Sequence, residues 1–191
     1  MEAFASVAAV LGACAIAGVL PPSHTALRSV SAAEVKVASM TIAIPRSVQI
    51  EHAAIHSALE DATKAPDPVG KAARALAEVL HPHFVREEQI ALPPLGLLAR
   101  LAGGTRLTDA EVAEALDMTD SLRRELPRML DEHKRIRKAV ESLLAVAQAE
   151  HAVRYVQLAE QLALHAQSEE EVLYPAAVLV GDVIRAQIKR D

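Results

Sequence analysis

The chain has 191 residues, 51% of them hydrophobic but only 2% aromatic, and a net charge of −5. That length holds one domain with a buried core and a short appendage. Its acidic and basic residues are interspersed, and without a basic stripe or an aromatic stacking platform nucleic acid is excluded as a partner. The single cysteine, Cys14, excludes an internal disulfide and a thiolate metal cluster. Eight histidines leave nitrogen and oxygen as the donors for any metal.

Residues 1–45 read as a leader. Positions 3–20 carry no charge, a run just long enough to be a membrane-span candidate, although it is rich in Ala and Gly. Leu11-Gly12-Ala13-Cys14 resembles a lipoprotein cleavage box, but the basic residues that open a secretory signal are missing and Glu2 is the nearby charge. Met40-Thr-Ile-Ala-Ile-Pro reads as an ordinary N-terminus. The expectation is therefore a cytoplasmic chain starting at Met40. An export signal, lipid anchor or membrane helix is the alternative, and only then is a membrane a partner.

From residue 46 the apolar content is mainly Ala, Leu, Val and Ile, with little strand-like alternation, which predicts an all-α domain over 46–182 and a tail over 183–191. The first helix is expected over 47–63. Asp67-Pro68 supplies an N-cap and a first-turn proline for the second, which runs to 92, where Pro93-Pro94 stops it. A Leu-rich connection follows, ending in Gly103-Gly104. Thr108-Asp109-Ala110-Glu111 has the form of a capping box and opens a third helix reaching about 148, bent near Pro127. The fourth is expected over 152–180, with Pro175 as a kink.

The two halves of this domain match. The first contains Glu51-His52, then His83-x-x-x-Glu87-Glu88, then Leu92-Pro93. The second contains Glu132-His133, then His165-x-x-x-Glu169-Glu170, then Tyr174-Pro175. The His52–His83 separation is 31 positions and the His133–His165 separation is 32. Each half is thus a helical hairpin with one His on its first helix and His-x-x-x-Glu on its second. Two such pseudo-symmetric hairpins close a four-helix bundle.

These ionisable residues fall on the faces that should be buried. The stripes are Val48, His52, Ile55, Leu59; then Val69, Ala73, Leu76, Leu80, His83, Glu87; then Leu122, Leu126, Met129, His133, Ile136, Val140, Leu143; then Leu158, Leu162, His165, Glu169. A carboxylate buried there without a partner costs several kcal/mol, so something must compensate for it. At i,i+4 the imidazole and carboxylate project side by side. Two such pairs on facing helices, with a His from each remaining helix, converge on one place, and a pair of metal cations is the simplest compensation. A lone core His is more often a hydrogen-bonded structural residue, and a lone His–Glu pair more often a surface pair; the duplication argues otherwise.

Neighbouring residues divide differently. Glu88 and Glu170 lie one step off the stripe and are expected to be solvated or to support ligands. His81 lies about 200° around the helix from His83, and His151 roughly 20 Å along the axis from His165, so neither shares the site. His24 belongs to the leader. His56, one turn after His52 and near the buried side, is expected to be a ligand; its second-half counterpart is Arg137.

The paired Glu-His and His-x-x-x-Glu-Glu-x-x-x-Leu/Tyr-Pro motifs resemble the hemerythrin-like, or HHE cation-binding, family over about residues 46–182. The resemblance implies an antiparallel up-down four-helix bundle holding two non-haem iron ions, oxo- or hydroxo-bridged, with five histidines and two bridging carboxylates. Here that set is His52, His56, His83, His133 and His165 with Glu87 and Glu169. It implies that one iron takes His52, His56 and His83 and the other His133 and His165, leaving an open position on the second. The founding oxygen carriers place His-x-x-x-His on the third helix rather than the first, and use His-x-x-x-x-Asp on the fourth. The present pattern is more similar to the bacterial and iron-sensing branches.

The expected function is binding or sensing of dioxygen, peroxide or nitric oxide at the open iron position. One alternative is a peroxidase- or catalase-like enzyme or an iron-linked repair protein, although the cysteine-bearing N-terminal domain of the repair relatives is missing. Another is a metal-linked helical interaction module with Leu95, Leu97, Leu98 and Leu101 as its surface, unless those leucines simply cover one end of the bundle.

Overall fold

The computed structural model describes residues 42–65 and 68–189. The expectations for the leader, Cys14, His24 and the start at Met40 lie outside the described residues, as does the N-cap at Asp67. Within them the chain is all-helical. The order is α1 Arg46–Thr63, α2 Pro68–Ile90, a 3-10 turn Pro93–Leu97, α3 Leu98–Ala102, α4 Asp109–Ala149, α5 Val153–Ser168, a π turn Glu169–Leu173, and α6 Tyr174–Ile188. The π turn joins α5 and α6 into one long element, so four long helical elements carry the fold. No helix among the described residues is long and apolar enough to cross a membrane.

The apolar stripes read from the sequence are the ones that pack. α1 packs on α2 and α5, α2 on α4, and α4 on both α5 and α6. Around one end of these contacts Ile55, Leu76, Phe84, Ile136, Leu143 and Leu162 form a continuous core. Burying each large apolar side chain contributes about 1.5–3 kcal/mol. A second core, with Val48, Ile90, Leu92, Leu122, Met129 and Tyr174, lies on the other side of the polar residues described below.

The helix boundaries follow local chemistry. Thr108 and Glu111 form the expected capping box: the Glu111 N–H donates to the Thr108 hydroxyl at 3.3 Å, and the Thr108 N–H donates to Glu111 at 2.8 Å. Arg100 also pairs with Glu111, and that guanidinium together with Thr108 holds the carboxyl down at about 2. α4 stays one helix through Pro127, which is exposed. The last element runs past the expected 180 to Ile188 because Val180 and Ile184 pack against Ile42, Leu97 and Ala115. The same cluster accounts for the leucine-rich connection: Leu95 and Leu97 are buried and Leu101 packs on Ile184's cluster, so they cover one end of the bundle, with Leu98 left exposed.

Where α4 meets α6, Gly181 lets the helices approach closely. A Cβ there would stand 2.4 Å from the buried Thr119 hydroxyl.

The expected kink at Pro175 takes another form. The helix widens by one residue before the proline, and the Tyr174 N–H donates to the carbonyl of Glu169, an i+5 bond. The first half differs: α2 ends at Ile90, and the Ala91 and Leu92 N–H groups both donate to the Glu87 carbonyl, at 2.8 and 3.0 Å, closing the helix before the 3-10 turn at Pro93. Among the described residues the π turn begins at the glutamate of the second His-x-x-x-Glu motif. Such bulges re-aim side chains and recur at functional sites.

Candidate metal centre

Between the two apolar cores lie four histidines and two glutamates. His52 comes from α1, His83 and Glu87 from α2, His133 from α4, His165 from α5, and Glu169 from the start of the π turn. All six are at most 2% exposed. They fall into two groups, His52 with His165 and His83 with His133, and both Glu87 and Glu169 belong to each group. Within a group, one ligand atom from every residue lies within 4.8 Å of the others.

This pairing differs from the one that the family resemblance implies. The histidines that share a group come from different halves, because His165 on α5 faces His52 on α1 and His133 on α4 faces His83 on α2. The His52 and His165 rings are 5.0 Å apart, and the His83 and His133 rings 4.6 Å. His56 joins neither group. Its ring is half-buried and meets Phe84 and His81 instead, while Phe84 stacks on His52 at 4.3 Å. His81 and His151 are exposed, as expected.

Every central imidazole is oriented by a carboxylate on a neighbouring helix. The Nδ1 of His52 lies 3.3 Å from Glu88, that of His83 3.0 Å from Glu132, that of His133 2.8 Å from Glu170, and that of His165 3.1 Å from Glu51. An ionised carboxylate only accepts, so each Nδ1 carries the proton and donates. The four Nε2 atoms therefore turn inward. This is the arrangement by which carboxylates fix and strengthen metal-binding histidines. Glu88 and Glu170, expected to be solvated or to support ligands, are half-buried against His52 and His133. So are Glu51 and Glu132 against His165 and His83, which the Glu-His dipeptides signal only in hindsight.

The inward atoms need a cation. The Nε2 atoms of His52 and His165, Oε2 of Glu87 and Oε1 of Glu169 are buried and make no well-aligned hydrogen bond, although His165 Nε2 and Glu169 Oε1 stand 2.9 Å apart as an ion pair. The Nε2 atoms of His83 and His133 approach to 2.8 Å, a contact that two lone pairs cannot make unless a positive charge lies between them. Tyr174 is a central residue that the sequence did not single out. Its hydroxyl donates to Glu87 and lies 3.3 Å from His83 Nε2 and 3.1 Å from His133 Nε2.

Protons supply some of the demand for positive charge. Burial works against charging His83 and His165, but contact with Glu87 and Glu132 for the first, and with Glu169 for the second, raises both to about 9. Burial, then the Glu169 charge, pushes the Glu87 carboxyl up. Burial also opposes charge on Glu169, but His133, His165 and His52 together hold its carboxyl well below the usual range. Burial and Glu87 push the Tyr174 phenol far up, so it stays a donor. The residues present therefore fit a metal: a buried His/Glu cluster with inward atoms converging, outer carboxylates in place, and charge left to neutralise.

Compared with protein families, curated proteins and solved structures, the chain matches none of them.

Proposed function

We propose that this chain is a hemerythrin-like protein: an antiparallel four-helix bundle of two pseudo-symmetric hairpins that holds two non-haem iron ions and binds or senses dioxygen, peroxide or nitric oxide. One observation carries the reading, the two buried groups of two histidines and two shared glutamates, four of whose inward atoms make no hydrogen bond. His52, His165, Glu87 and Glu169 would hold one ion, and His83, His133, Glu87 and Glu169 the other. Nitrogen and carboxylate donors in this ratio suit ferrous and ferric iron. The repeated motifs, each with its glutamate carbonyl accepting an i+5 N–H just before the proline, support the pseudo-symmetric arrangement.

A ferrous pair held by these residues would supply two electrons to a small oxidant. The chain does the rest. Two histidines and two shared carboxylates per ion leave room for a small ligand beside them. Glu51, Glu88, Glu132 and Glu170 keep the imidazole rings in place, and Phe84, Leu122, Met129 and Ile136 surround the centre with buried apolar surface. Among the described residues, a pocket of about 390 Å³ lined by Val48, His52, His56, Glu88 and Leu92 gives a small molecule access to the edge of His52.

The test is the visible and near-ultraviolet spectrum of the iron-loaded chain, recorded anaerobically and then with dioxygen, peroxide or nitric oxide. A new ligand-dependent band with at least one of them is expected. An iron-loaded chain whose spectrum none of the three alters would contradict the small-molecule role.

A further inference from the structure

The two ion positions share Glu87 and Glu169 and differ in almost everything else. All of the inward atoms that make no hydrogen bond belong to the His52/His165 group or to the shared glutamates. In the other group the inward atoms already have partners, because the Tyr174 hydroxyl reaches Glu87, His83 and His133. Nothing equivalent faces His52 and His165, since the position matching Tyr174 in the first half is Leu92.

The outer carboxylates differ in the same sense. Glu132 is shared with Arg128 at 2.9 Å, and Glu170 with Arg137. Each guanidinium draws negative charge away from the carboxylate and so weakens its pull on the imidazole N–H. Glu88 and Glu51 have no arginine or lysine partner among the described residues and are more open, with side chains 45% and 43% exposed against 16% for Glu132 and 27% for Glu170. His52 and His165 are thus oriented by carboxylates that no guanidinium shares, at contacts of 3.3 and 3.1 Å against 3.0 and 2.8 Å in the other group. One turn after His133 stands Arg137; one turn after His52 stands His56, which brings no such fixed charge.

Access differs too. The pocket of about 390 Å³ touches His52 itself, along with His56 and Glu88. Another, of about 370 Å³, is lined by Arg86, Arg128, Arg135 and Glu132 among others and reaches none of the central histidines.

Resting on the metal reading above, we propose that the two positions are inequivalent: a divalent cation loads first at His52/His165, through the pocket at His52, and second at His83/His133, against the Tyr174 hydroxyl. The first ion meets Nε2 atoms whose near neighbours are the carboxylates that would join them as ligands. The second must take Glu87 from its hydrogen bond with Tyr174 and separate a pair of imidazoles that already share a charge.

The experiment is a calorimetric and absorption titration of the metal-free full chain with cobalt(II), comparing the native chain with three variants. The native chain is expected to bind in two resolved steps. Glu88→Gln should weaken the first step about 10–100-fold and leave the second in place. Tyr174→Phe, which keeps the ring and its packing, should tighten only the second, about tenfold, by removing one hydrogen bond that competes for a charged group. Arg137→Gln, at a half-exposed edge, should also tighten only the second. Two equal steps in the native chain, or a Tyr174→Phe effect confined to the first, would overturn the proposal while leaving metal binding intact. No binding at all would overturn the metal reading itself, and the proposal with it.

Discussion

Glu87→Ala is expected to empty both metal positions, and His165→Ala to empty one, whereas His81→Ala should keep the full complement. Glu87 belongs to both ligand groups, so its loss removes a charged donor from each, while His165 belongs to one. His81 is exposed and outside both groups. Metal content per chain, measured after loading and gel filtration, separates the three. Glu87→Ala also leaves the Tyr174 hydroxyl without its acceptor, so the variants should be checked for native helicity first. Unchanged metal in folded Glu87→Ala would remove the bridging role.

The second large effect concerns stability. Two carboxylates that are at most 1% exposed face each other across the centre, and without metal they depend on protonated imidazoles for compensation. His83 and His165 are raised to about 9 from 6.5 in the unfolded chain. The folded state therefore binds more protons than the unfolded state between those values, so stability falls as pH rises there. The contribution of these two groups is fully present below pH 6.5 and is lost as pH passes 9. The raised Glu87 carboxyl adds to the same trend, because ionising it in place is unfavourable. The metal-free chain is thus expected to melt at progressively lower temperature from pH 6.5 to 9.

Metal should reverse this, displacing the protons and adding about 4 kcal/mol per site at a thousandfold excess over its dissociation constant. Thermal melts of both forms across that pH range, with proton release on loading, check the sign. A metal-free chain that gains stability toward pH 9 would contradict the charge balance described here.

The apolar periodicity was enough to place the buried His/Glu cluster. His52, His83, Glu87, His133, His165 and Glu169 each continue a stripe of Val, Leu or Ile, and a helix face is legible at a spacing of 3.6 residues. Which histidine shares an ion with which depends on contacts across helices, and no periodicity within one helix encodes that. His56 illustrates the limit: one turn from His52 it is about 40° further round, and Phe84, from another helix, fills the space beside it. The π turn at Glu169 was hidden because a proline signals lost donors without saying whether the helix kinks or bulges. Tyr174 was hidden for a related reason. It follows Glu169 by five residues, a spacing that an ordinary α-helix rotates away from the ligand face and that the π turn brings back to it.

The supporting carboxylates were half visible. Glu51 and Glu132 repeat beside the histidines, yet each orients the imidazole of a different helix rather than its own neighbour's. Sequence repetition marked them, but only the packing of α1 on α5 and of α2 on α4 gave them partners.

The most direct measurement is the number of metal ions per chain, by elemental analysis of protein purified without chelator and then loaded with ferrous iron. Two ions per chain, with both lost in Glu87→Ala, are expected. A folded, helical chain that binds no metal would contradict the centre, leaving six buried ionisable groups to be satisfied by protons and Tyr174 alone.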